Sequence, residues 1–138
     1  MPNPFTSGES KDSSPPLRIL HLEDNADDAA LIAWTLRTAE IQCRIVRVED
    51  KDDYLTALRQ RDIDLILSDC SVGGFSGLTA LEMAQTEKNN VPFVFVTGSA
   101  PLIRTQALDQ GAADCLSKDH RIQLVFLAQR IWQTKLES

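Results

Sequence analysis

Five short apolar runs punctuate this chain, at about 17–23, 43–48, 64–68, 92–97 and 113–117, and segments with helical spacing of apolar residues separate them. A strand that is apolar along its whole length must be covered on both faces, and strands that alternate with helices are joined most simply in parallel. The pattern predicts an α/β fold: a doubly wound five-stranded parallel sheet with helices on both faces. The helices are expected over about 26–39, 52–61, 78–86, 102–110 and 121–136. Asn25 is placed to cap the first, whose Ala29, Ile32, Ala33 and Leu36 share a core-facing stripe, and Gly111 suits the end of the fourth.

Every run but the second ends on a polar functional group. Glu23 and Asp24 close the first, Asp69 the third, Thr97 the fourth and Lys118 the fifth. In an open parallel sheet the carboxyl ends of the strands line the binding crevice, so these distant residues are expected on one edge. Several carboxylates in one pocket repel unless a cation neutralises them, and a hard ion such as Mg²⁺ prefers oxygen ligands. An ammonium at Lys118 and a hydroxyl at Thr97 could then hold a phosphoryl group for attack by Asp69.

Composition narrows the partners. A length of 138 residues with 43% hydrophobic content suits one domain with its own core, and the net charge of -6 disfavours direct nucleic-acid binding. Cys43, Cys70 and Cys115 are odd in number and widely spaced, which argues against a disulfide framework or a zinc site and for a reducing compartment. No run approaches a membrane span, and residues 1–16 lack the apolar centre of a signal peptide. The chain is therefore expected to be cytoplasmic, with a flexible segment over residues 1–16 and one domain over 17–138.

The runs Ile19-Leu20-His21-Leu22-Glu23-Asp24, Asp64-Leu65-Ile66-Leu67-Ser68-Asp69, Val94-Phe95-Val96-Thr97-Gly98 and Gly111 to Lys118 together resemble the receiver domain of two-component response regulators. The resemblance implies a flavodoxin-like sheet of order 2-1-3-4-5. It implies Asp69 as phosphoacceptor, with Thr97 and Lys118 binding the phosphoryl group. Mg²⁺ would be held by Glu23, Asp24, Asp69 and the backbone carbonyl of Ser71. The donor would be a phosphohistidine on a sensor histidine kinase or a phosphotransfer protein, with acetyl phosphate as a small-molecule substitute. Such a protein is a phosphorelay switch, not an enzyme acting on other molecules, and its own phosphorylation and dephosphorylation are its only expected chemistry. The alternative is a pseudo-receiver, an interaction module of the same fold that does not use phosphate. A small phosphohydrolase would need an acid or base where Ser71 stands.

The chain departs from the family pattern in several places. Cys115 stands where an aromatic ring usually relays the switch, so coupling is expected through the loop after Thr97, with the fourth helix and fifth strand as output surface. Asp119 replaces the usual proline after the lysine, and the Lys118-Asp119 bond is expected to be trans. Gly73 replaces another proline, and the Gly73-Gly74 loop is expected to be mobile. Ser71 and Ser99 lie where relatives tune the lifetime of the phosphorylated state. In the last helix, Ile122, Val125, Trp132 and Leu136 form one stripe and Leu124, Leu127 and Ile131 another, so burying one is expected to leave the other for a partner or a homodimer contact that includes the fourth helix and fifth strand. His21 is expected to be a core or near-site histidine, His120 to begin the last helix, and Cys70 to be a small buried residue.

Overall fold

The computed structural model describes residues 14–137. Strands β1 (Leu17–Leu22), β2 (Cys43–Val48), β3 (Leu65–Ser68), β6 (Phe93–Thr97) and β7 (Asp114–Ser117) form one parallel sheet, and β4 (Ser71–Val72) and β5 (Phe75–Ser76) form a small hairpin. The sheet order β2-β1-β3-β6-β7 is the expected 2-1-3-4-5 once the hairpin strands are set aside. Helices α1 (Ala26–Thr38) and α5 (Ile122–Leu136) pack with Leu17, Ile19, Leu65, Leu67, Val94 and Val96 on one face. Helices α2 (Lys51–Gln60), α3 (Gly77–Glu87) and α4 (Ala100–Asp109) pack with Leu20, Leu22, Ile66, Phe93 and Phe95 on the other. The sheet is thus doubly wound. Period-two alternation divides each strand between the two cores, and the central Leu65, Ile66 and Leu67 have no exposed surface. Each such side chain contributes about 1.5–3 kcal/mol by leaving water.

Local chemistry sets the helix ends. Asn25 accepts a hydrogen bond from the Asp28 N–H at 2.9 Å, as expected, and Asp50 does the same for Asp53 at 2.8 Å. α4 begins two residues before the expected start because Pro101 lies in its first turn, where its missing N–H costs nothing. At its other end the Gly111 N–H reaches Leu108 O and the Ala112 N–H reaches Ala107 O, with Gly111 at φ 105°, which closes a Schellman motif. α1 ends in the same pattern, with Glu40 at φ 63° in the glycine position.

Three expectations change. The two stripes of α5 are flanks of a single buried face: Leu124, Val125 and Ala128 are buried, and Leu127, Ile131 and Trp132 pack beside them. Neither stripe is left over as a whole; Ile122 of the first stripe and Phe126 point outward, at 59% and 61% exposure. The Gly73-Gly74 loop forms a two-residue hairpin turn, both glycines taking the positive φ (55° and 85°) that a type I′ turn requires. Of the 1–16 segment, residues 1–13 lie outside the described residues, but Pro15 O accepts from Trp132 Nε1 at 3.0 Å and Pro16 O from Lys135 Nζ at 2.9 Å, so its end is tied to α5. His120 sits in the turn before α5 rather than in the helix, its N–H donating to Ser117 O. No cis peptide bond occurs among the described residues, so Lys118-Asp119 is trans as expected. Trp34 projects from α1, half exposed.

Candidate functional site

The sheet's strand order reverses direction between β1 and β3, and loops diverging there open a crevice at the carboxyl edge. Glu23 and Asp24 leave β1 at that point and Asp69 leaves β3, its N–H donating to Leu22 O at 3.2 Å. Thr97 is the last residue of β6, and the Lys118 N–H donates to its carbonyl. Parallel pairing therefore brings the four strand exits together.

Lys118 is the hub. Its Nζ lies 2.8 Å from Asp69 Oδ2, 2.6 Å from Asp28 Oδ2 and 2.9 Å from Glu23 Oε1. Burial works to lower the Lys118 pKa, but the carboxylates of Asp28, Asp69 and Glu23 outweigh it and hold the ammonium charged well above the usual lysine range. Burial likewise works to raise the Asp69 pKa. Lys118, the nearby Thr97 hydroxyl and the Cys70 N–H, which donates to Asp69 Oδ1 at 2.7 Å, win and hold it below the usual aspartate range. Glu23 is the opposite case: its burial prevails over Lys118 and the Asn25 N–H and raises its pKa. Glu23 Oε1 is buried with the Lys118 ammonium 2.9 Å away and no other donor, so it keeps acceptor capacity to spare.

Asp24 stands apart from the hub. Its carboxylate is exposed and accepts the Gly73 N–H at 3.0 Å. Ser71 pairs with Ser76 in the hairpin; the Gly77 N–H donates to Cys70 O at 2.9 Å, and antiparallel pairs alternate between bonded and non-bonded, which leaves the Ser71 carbonyl outside the ladder. Among the described residues no three acidic, histidine or cysteine side chains form a ready metal cage. The donors nonetheless fit Mg²⁺: all are oxygens, one buried oxygen has no donor beyond Lys118, and three carboxyl groups share one ammonium while a fourth, Asp24, holds only a backbone N–H. Mg²⁺ takes few protein ligands and keeps several waters, so a partial set is what it uses.

Thr97 is buried. Its hydroxyl donates to Cys70 Sγ at 3.3 Å and accepts the Ser99 N–H at 3.2 Å. Cys70 is therefore a half-buried partner of the site, not the passive filler expected. Gly77 is required by close approach, since a Cβ there would lie 2.6 Å from Asp69 O. His21 is buried beneath the site with Nδ1 unpartnered; burial first, then Lys118 and Arg47, lower its pKa to about 4.

Sequence reasoning missed Asp28. It lies one helical turn beyond Asp24 in the acidic first turn of α1, and that i, i+4 spacing was the available signal. The Cys70 contact had no signal, because it depends on how β3 and β6 splay at their ends.

A family model described as the response regulator receiver domain matches residues 19–129. Among solved structures, the chain is similar to the receiver domain of a sensor histidine kinase from Pseudomonas aeruginosa with magnesium coordinated in the active-site cleft, at 26% identity over 86% of this chain and 99% of that one, TM-score 0.72. It also resembles a receiver domain protein (CheY-like) from Methanospirillum hungatei, at 20% identity over 90% and 100%, TM-score 0.71. A response regulator from Burkholderia pseudomallei with a phosphorylated aspartic acid and a calcium ion aligns at 20% identity over 88% and 72%, TM-score 0.69. No protein of curated function matches the sequence. Among the described residues no helix is long and apolar enough to cross a membrane.

Proposed function

Because this chain belongs to the response regulator receiver domain family of two-component systems, we propose that it is a signalling switch phosphorylated on Asp69. The observation that carries the reading is the Lys118 ammonium 2.8 Å from Asp69 Oδ2 at a buried-strand exit, within a surplus of carboxylate. An Asp69 carboxylate oxygen attacks phosphorus of a phosphohistidine on a sensor histidine kinase or phosphotransfer protein. The P–N bond breaks, and its electron pair stays on the imidazole nitrogen. Lys118 holds one phosphoryl oxygen as a point charge, and the Thr97 hydroxyl turns to another. Bound Mg²⁺ supplies neutralisation of carboxylate and phosphoryl charge. Glu23, Asp24, Asp69 and the Ser71 carbonyl would hold it, the Glu23 and Asp24 carboxylates directly or through water.

The exposed apolar residues Leu102, Ile122 and Phe126 on α4 and α5 suit the output and homodimer surface. The free cysteines favour the reducing cytoplasm.

Incubation with acetyl phosphate and Mg²⁺ followed by intact-mass measurement tests the assignment. Wild-type protein gains one phosphoryl group, and Asp69→Asn gains none. A folded wild-type protein that gains nothing returns the chain to the pseudo-receiver alternative.

A further inference from the structure

Resting on that reading of Asp69 and Thr97, we propose that Cys70 is a positioning residue: its thiol latches the Thr97 hydroxyl in the unphosphorylated protein and releases it when the phosphoryl group arrives. The hydroxyl has one proton, which goes to Cys70 Sγ at 3.3 Å. The Asp69 carboxylate is the other acceptor near this hydroxyl, but the contact with hydrogen-bond geometry is the one to the Cys70 thiol. The second contact of Thr97 Oγ1, from the Ser99 N–H, uses a lone pair and so ties the latch to the first residues before α4.

The backbone that carries the thiol is held on both sides. The Cys70 N–H donates to Asp69 Oδ1 at 2.7 Å, and Cys70 O accepts the Gly77 N–H at 2.9 Å. The carboxylate that would receive phosphate is therefore bonded to the main chain of the residue that carries the latch. The strength order favours release. Sulfur is a weak acceptor, whereas a phosphoryl oxygen is charged and binds a hydroxyl about twice as strongly as a neutral acceptor does. Cys115, buried with its thiol against Ala100 O at 3.9 Å, has no ring to swing as Thr97 moves. Cys70 thus supplies a Thr97 contact that distinguishes the two states.

The test is beryllofluoride titration with Mg²⁺, followed by the Ser99 amide resonance. Cys70→Ala leaves Thr97 unlatched and tightens apparent affinity about two- to tenfold, the factor of one neutral hydrogen bond. Cys70→Ser keeps an acceptor and stays within about twofold of wild type. Combined with Thr97→Ala, neither substitution changes affinity. Unchanged or weaker binding in Cys70→Ala, or the same tightening in the Thr97→Ala background, overturns the latch while leaving the phosphoacceptor reading intact. Failure of wild-type protein itself to bind beryllofluoride overturns both.

Discussion

Strand β3 has an aspartate at each end, and each meets a lysine ammonium at nearly the same distance: Asp64 and Lys135 at 2.7 Å, Asp69 and Lys118 at 2.8 Å. At the amino edge, Asp64 Oδ2 also accepts the Arg18 N–H at 2.8 Å, and Arg18 reaches both Asp62 and Asp64. Two cations there answer two carboxylates. At the carboxyl edge one ammonium is shared by Asp28, Asp69 and Glu23, and Asp24 stands nearby on a backbone amide. The same pair of groups is saturated in one place and undersaturated in the other. A saturated pair can only hold structure together, while an undersaturated one is poised to take up a cation or to exchange its partner for a phosphoryl group.

The largest expected effect separates the two aspartates directly. Asp69→Asn removes all uptake of phosphoryl from acetyl phosphate, and Asp64→Asn leaves it intact; intact-mass measurement on both variants would break the comparison if Asp64→Asn also lost it.

The edges differ next in their response to acid. His21, under the carboxyl edge, has its pKa lowered from 6.5 to about 4. The unfolded chain therefore takes up the proton first, so this stability is complete above about pH 6.5 and is lost as pH falls toward 4. The whole window is worth about 3 kcal/mol. Urea unfolding at pH 7 and pH 5 should show a smaller loss in His21→Leu than in wild type, and equal losses would remove His21 as the cause.

At the amino edge, Asp64 has a lowered pKa because Lys135 and Arg18 outweigh its burial, so its contribution survives until pH drops below about 3.8. Lys135→Met should cost about 1–3 kcal/mol at neutral pH, as for a hydrogen bond to a charged group, with phosphorylation unchanged. Chemical denaturation and mass measurement together check this, and a lysine variant that loses labelling would erase the distinction between the edges.

The smallest effect lies in two helix ends on the amino edge. Glu40 and Gly111 occupy the same left-handed position, and only glycine does so without strain. Glu40→Gly should therefore stabilise by up to about 1 kcal/mol without altering phosphorylation, and a thermal shift downward would contradict it.

Much of this was legible in the chain. The five apolar runs marked the sheet because a doubly covered strand has no polar face to show, and Asp69, Thr97 and Lys118 were found because each closes such a run. Gly111 and Asn25 marked helix ends through local chemistry. The α5 reading failed because two stripes on a helical wheel do not say how far a sheet wraps around the helix; both Leu124 and Val125 are buried.

Residue order alone determined which groups stand at strand exits, because apolar continuity and the period of two act along the chain. Tertiary structure alone decided how charge is shared among them: that Lys118 sits between Glu23, Asp28 and Asp69, that Asp24 faces Gly73, and that Thr97 gives its proton to Cys70. Those choices depend on distances between segments far apart in sequence, and electrostatic and hydrogen-bond energies change over a fraction of an ångström to a few ångströms.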